Sequence, residues 1–268
     1  MMPIGERIRQ FSDGLSRPTP SDVVHIRTLR KAIGGIALGL PLALVLGEKI
    51  RDLLLSITHA ALIEASISAY FHTGMRELFV GSLCAVAVFL LCYKGYERRD
   101  NIAANIAGLA LIVVAFFPTA ERPVEAADAA AAIDSATLFS DALTPDPTYV
   151  SYLHFGAAAV FFVILAVMSL FLFTKTGDKR LMTDEKKQRN TVYRACGITI
   201  LVCIGVIAVG KLALGDWSGR MQLVFWCESI AIMAFGLSWL TKAEVILADR
   251  PDESPRAVAA SGTELAGV

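Results

Sequence analysis

Charge is scarce in this chain: only 19% of its 268 residues are charged, and 25 basic residues balance 25 acidic ones. Soluble domains carry about a quarter charged residues, so an ordinary water-soluble domain is excluded. The zero net charge also excludes an overall field that would gather an acidic substrate, and no nucleic acid is expected as a partner. Before residue 31 there is no apolar run suited to the core of a cleavable signal peptide, so the first span is expected to direct its own insertion. Walker, dinucleotide-binding and kinase patterns are missing, as are HExxH and His-x3-His pairs. Cysteine is sparse and hidden: Cys84, Cys92, Cys196, Cys203 and Cys227 all lie in apolar stretches, which predicts small buried hydrophobes rather than a disulfide or a thiolate metal site. No internal repeat of useful strength occurs, against a transporter built from inverted halves.

What the chain has is apolar length. Hydrophobic residues make up 55% of it, and its mean hydropathy is +0.57. A spanning helix needs about 20 mostly apolar residues, and six candidates lie near 31–50, 75–95, 102–119, 149–174, 192–214 and 221–241. The expected fold is therefore an all-α membrane protein, a six-transmembrane-helix bundle. Pro41 interrupts the first span, and Gly35 and Gly39 stand there at a spacing that admits a close neighbouring helix. Basic residues are retained in cytoplasmic loops. With the N-terminus inside, nineteen of the 25 Lys and Arg fall on that side, which predicts an N-in/C-in protein, expected in a bacterial inner (plasma) membrane.

Three regions are expected along the chain: a cytoplasmic segment 1–30, a six-span domain 31–247 with an outer loop at 120–148, and a disordered cytoplasmic tail 248–268. Ile4, Ile8, Phe11 and Leu15 recur at helical spacing beside Arg7 and Arg9, as in a helix lying on an anionic leaflet. The outer loop allows one helical turn through Ala126–Ala132. Asn101 and Asn105 suggest polar contacts between helices. The run Tyr93 to Asp100 suggests an interfacial anchor.

Histidines are segregated in this topology: His59, His72 and His154 fall outside, His25 inside. Glu228 lies about eight residues into the sixth span, roughly 12 Å deep at 1.5 Å per residue. A carboxylate at such depth faces the bundle interior and needs a partner. His72, His154 and Glu228 are therefore expected to converge on one outward cavity. There they would offer general acid–base groups for a lipid ester or amide, with Ser66, Ser68 or Tyr70 as nucleophile or donor. Two histidines and a carboxylate are also a donor set for zinc, although no spacing requires one and no cofactor is named by the sequence. The simpler reading of Tyr70, Tyr149, Tyr152 and Trp217 is an aromatic belt.

Ser66-Ile67-Ser68 with Phe79-Val80-Gly81, His154-Phe155-Gly156-Ala157 with Phe161, and Cys227-Glu228 with Thr241 and Glu244 form a constellation. In it the chain resembles the six-span DRAM/Sfk-type family, which includes autophagy modulators and GPI-anchor lipid-remodelling membrane proteins. After Ser68 the chain departs from that pattern, with Ala69-Tyr70-Phe71-His72 in place of an acidic residue and glycine. A second likeness, Ser68-x3-His72, is similar to the Ser/His element of the alkaline ceramidase and progestin-receptor superfamily. The first resemblance implies lipid biology at the non-cytoplasmic face and singles out His154 and Glu228. The expected function is thus membrane-lipid binding or remodelling at His72, His154, Glu228 and Ser68. The alternatives are a zinc-dependent lipid hydrolase and a scaffolding protein, and a homo-oligomer is left open.

Overall fold

The computed structural model describes residues 20–57, 63–95, 97–119, 147–175, 182–213 and 222–248. Outside them lie the 1–19 segment, His59, residues 120–146 with the Ala126–Ala132 turn, Trp217 and the tail after Arg250. The described residues form six α-helices and no strand: α1 Pro20–Leu55, α2 Arg76–Cys92, α3 Arg98–Phe116, α4 Pro147–Val167, α5 Asp184–Ala213 and α6 Leu223–Lys242. A 3-10 turn, Ser68–His72, precedes α2, and a wide π turn, Met168–Leu172, continues α4.

Local chemistry sets the ends. Pro20 opens α1, where its missing N–H costs nothing. Pro41 does not end this helix, because a membrane helix tolerates the one backbone bond that proline removes. Ser56 does, in the left-handed region at φ 54°, with the Ile57 N–H donating back to the Asp52 carbonyl at 2.9 Å. Glu97 and Asp100 form a reciprocal capping box at the start of α3.

Five helices, α1, α3, α4, α5 and α6, are long and apolar enough to cross a membrane. The remaining one, α2, has 17 residues and rises about 26 Å. Large apolar side chains cover the outside of the bundle, among them Leu42, Val163 and Val202, each about half exposed. A helix set that is apolar on both its inner and outer faces is built for lipid.

Each helix packs on its neighbours in the chain, and α6 returns to α1, so the six close into a ring. The α1–α6 seam depends on two glycines. A Cβ on Gly34 would stand 2.9 Å from the Gly236 carbonyl oxygen, and one on Gly236 2.8 Å from that of Gly34. Gly35 and Gly39, the expected contact pair, instead have nothing within 4 Å. Adjacent positions are rotated by about 100° on a helix, which turns this pair away from the neighbour that Gly34 touches. On α3, Ala103, Ala104, Ala107 and Gly108 are buried, and small side chains let α2 and α4 come close.

One end of the bundle is sealed around Trp239, which is fully buried among Tyr93, Phe173 and Phe235, with ring centroids 5.0, 5.4 and 5.9 Å away. Cations ring this plug. Arg30 lies over Tyr93 and donates to the Lys242 carbonyl at 3.3 Å, the Lys242 ammonium lies 5.4 Å from the Phe173 ring, and Arg27 pairs with Glu244. Tyr93 is thus core, not an interfacial anchor. Asn101 accepts the Gly95 N–H at 2.7 Å, a bond within its own turn, and Asn105 faces outward, so neither joins two helices.

Candidate functional site

At the opposite end, residues 63–67 lie against the first turns of α6. The Gln222 side chain donates to the Ile63 carbonyl at 2.9 Å, the Phe225 N–H to the Ala65 carbonyl at 3.1 Å, and the Ile67 N–H to Glu228 Oε2 at 2.7 Å. One of the unsatisfied amides that open a helix is thereby used, and the loop is held at alternate residues. Its next residue, Ser68, is buried, with its hydroxyl 3.1 Å from that of Ser66. Tyr70 is also buried, against Phe225, which removes it from the expected aromatic belt, and burial pushes its phenol up from the ordinary value. Tyr149 and Tyr152 are exposed.

The two described histidines of this end serve the end of α3. His154 on α4 is 2% exposed, and its Nδ1 lies 2.7 Å from the Phe117 carbonyl. A carbonyl only accepts, so Nδ1 carries the hydrogen, and the Val114 backbone also lies within reach of the ring. His72 is exposed, with Nε2 2.8 Å from the Thr119 carbonyl. Each imidazole therefore satisfies a carbonyl of the chain leaving α3.

Between the loop and the Trp239 plug is a cavity of about 70 Å³. Residues from α1, α2, α3, α4 and α6 wall it, while α5 packs outside α4 and α6. Its sides are aliphatic, including Leu40, Leu83, Val86, Leu111 and Ile232, and Phe161 and Phe235 meet at its deep end with centroids 6.1 Å apart. Its polar members are Ser68, Ser82, His154 and Glu228. From Glu228 to Phe235 the wall of α6 runs about 10 Å.

Of the four residues expected to act together, Ser68, His154 and Glu228 line this one space, and His72 does not. Glu228 is the sixth residue of α6 rather than two turns down, so it sits where the loop crosses the helix. Among the described residues no three His, Cys, Asp or Glu side chains are placed to hold a metal ion, so His72, His154 and Glu228 do not assemble into the zinc set their types suggested. Ser82 and the Phe161–Phe235 floor were not legible as site residues: a serine and two phenylalanines in apolar spans carry no mark of their own. An apolar cavity with a few polar groups at one end is suited to hold an amphiphile by its chain and orient its head. No family model, curated protein or solved structure matches the chain.

Proposed function

We propose that this is an integral membrane protein that binds a membrane lipid in the cavity beneath Ser68, His154 and Glu228. The observation that carries the reading is the cavity itself: about 70 Å³ of largely apolar space inside a lipid-facing bundle, with a carboxylate and an imidazole in its wall. Buried polar groups in a membrane protein mark sites where something polar is met.

In this reading α2 is the sixth span, its about 26 Å close to the hydrocarbon thickness of about 30 Å. The Trp239 end, with Arg27, Arg30, Lys175 and Lys242, is then cytoplasmic, in keeping with the nineteen basic residues counted on that side of the chain. The cavity's polar end faces outward across an inner membrane, and both termini are inside. The residues that resemble the lipid-remodelling DRAM/Sfk-type family support the same reading, since Ser68, His154 and Glu228 all belong to the cavity.

Lipid extraction tests it. Protein purified in mild detergent is expected to carry a lipid in near-stoichiometric amount by mass spectrometry, and Ala158→Phe, which fills the cavity from α4, is expected to lose it. Equal lipid content in the filled variant would sink the proposal. The topology has its own test: a cysteine placed at Ala130 should react with membrane-impermeant maleimide in intact cells, and labelling only after lysis would reverse the orientation.

A further inference from the structure

The depth of the cavity limits the length of what it holds, an inference that rests on the lipid-binding reading above. We propose that the cavity is a ruler for a single hydrocarbon chain of about eight carbons, with Phe161 and Phe235 setting where the chain must end.

One spacing is repeated around the space. His154, Ala158 and Phe161 line it from α4, and Glu228, Ile232 and Phe235 line it from α6. Both sets stand at i, i+4 and i+7, so each falls on one face of its helix. The lining of α2 runs from Phe79 to Val86, again seven positions along the helix. At 1.5 Å per residue the three helices agree on a depth of about 10 Å. An extended chain advances about 1.2 Å per bond, a third of the length of one extended residue with its three bonds, so this depth admits about eight carbons.

The width admits one chain. A cavity holds about one water-sized probe per 10–15 Å³, so about 70 Å³ amounts to roughly five to seven such positions. Spread over that depth they form a single file.

The floor is built not to yield. Phe161 and Phe235 are buried and meet edge to face, with centroids 6.1 Å apart. Behind them the fully buried Trp239 ring lies 5.9 Å from that of Phe235. Packed rings take in further methylenes only by moving off their preferred rotamers. A longer chain must therefore fold back or leave its head above the level of His154 and Glu228.

Full-length protein in nanodiscs, loaded with radiolabelled 1-octanol, provides the assay, with unlabelled 1-alkanols as competitors at equal mole fraction in the bilayer. 1-Octanol is expected to displace the label at least about tenfold more strongly than 1-dodecanol or 1-hexadecanol. Phe161→Ala and Phe235→Ala each open the floor and should bring 1-dodecanol to within about threefold of 1-octanol. Phe161→Leu and Phe235→Leu should move the ranking the same way by less, and they serve where an alanine variant does not fold. Phe171→Ala, at an exposed position of the π turn, should leave the ranking as it is. Equal displacement by 1-hexadecanol in the unaltered protein, or a ranking unmoved in the folded variants of both floor positions, overturns the ruler and leaves lipid binding standing. Failure of 1-octanol to bind also overturns the ruler, and lipid binding falls with it only if Ala158→Phe carries as much co-purified lipid as the parent.

Discussion

Glu228 and Ile67, 161 residues apart in the chain, are joined by a 2.7 Å bond from the Ile67 backbone N–H to the Glu228 carboxylate. One side chain therefore has two faces of use. It anchors the loop that carries Ser68, and it lines the cavity.

These two tasks separate by substitution. Glu228→Gln keeps an acceptor oxygen and should leave resistance to SDS unfolding within about 1 kcal/mol of the parent, whereas Glu228→Ala leaves the Ile67 N–H unpaired and should cost about 1–3 kcal/mol. Equal losses would mean that charge, not the hydrogen bond, secures the loop.

The histidines differ in burial, and so should their variants. His154→Ala strips the half-buried Phe117 carbonyl of its partner and opens space beside α3, for an expected loss of about 1–3 kcal/mol. His72→Ala exposes the Thr119 carbonyl to solvent or headgroups and should cost less than about 1 kcal/mol. The comparison is read from paired SDS titrations, and a larger loss for His72→Ala would contradict the assignment.

The α1–α6 seam gives the sharpest contrast between neighbouring positions. Gly236→Ala or Gly34→Ala puts a methyl within 3 Å of a backbone oxygen and should destabilise by about 1–3 kcal/mol. Gly35→Ala enters open space and should stabilise the helix slightly or leave it unchanged. Matching effects at Gly34 and Gly35 would mean that α1 is rotated from its described orientation.

At the sealed end, Glu97 is held below the usual carboxylate range by its hydrogen bond to Lys175 at 2.7 Å and by that ammonium's charge. A depressed acid pKa stabilises the fold fully above the unfolded value, about 4.3, and the contribution fades as pH falls through the lower folded value. The pair is exposed, so its effect is small. Lys175→Ala should lower the melting temperature slightly at pH 7, and the difference should shrink as pH falls below about 4.3. Carboxyl NMR should show Glu97 titrating upward in the variant, and an unmoved titration would refute the pairing.

Four of the six helices were legible from hydropathy within a few residues, because lipid demands long apolar runs whatever their neighbours. The exceptions were α1, which reaches from Pro20 to Leu55 and runs through Pro41, and α5, whose charged first turns from Asp184 precede the apolar run expected at 192. His154 and Glu228 were legible for the same reason: a polar group in such a run has to be accounted for. Contacts that depend on which helices adjoin were not. Gly34 and Gly35 look alike in sequence, and only the position of α6 decides between them. Tyr93 reads as an interfacial tyrosine until Trp239 and Arg30, far along the chain, are placed beside it.

Closure of the ring between α1 and α6 sets an order of assembly. Among the described helices α1 precedes the others in the chain and is completed by α6, so its seam face stays uncovered until α6 has been made. A chain released after α5 shows Gly34 bare and deprives Arg30 of the Lys242 carbonyl.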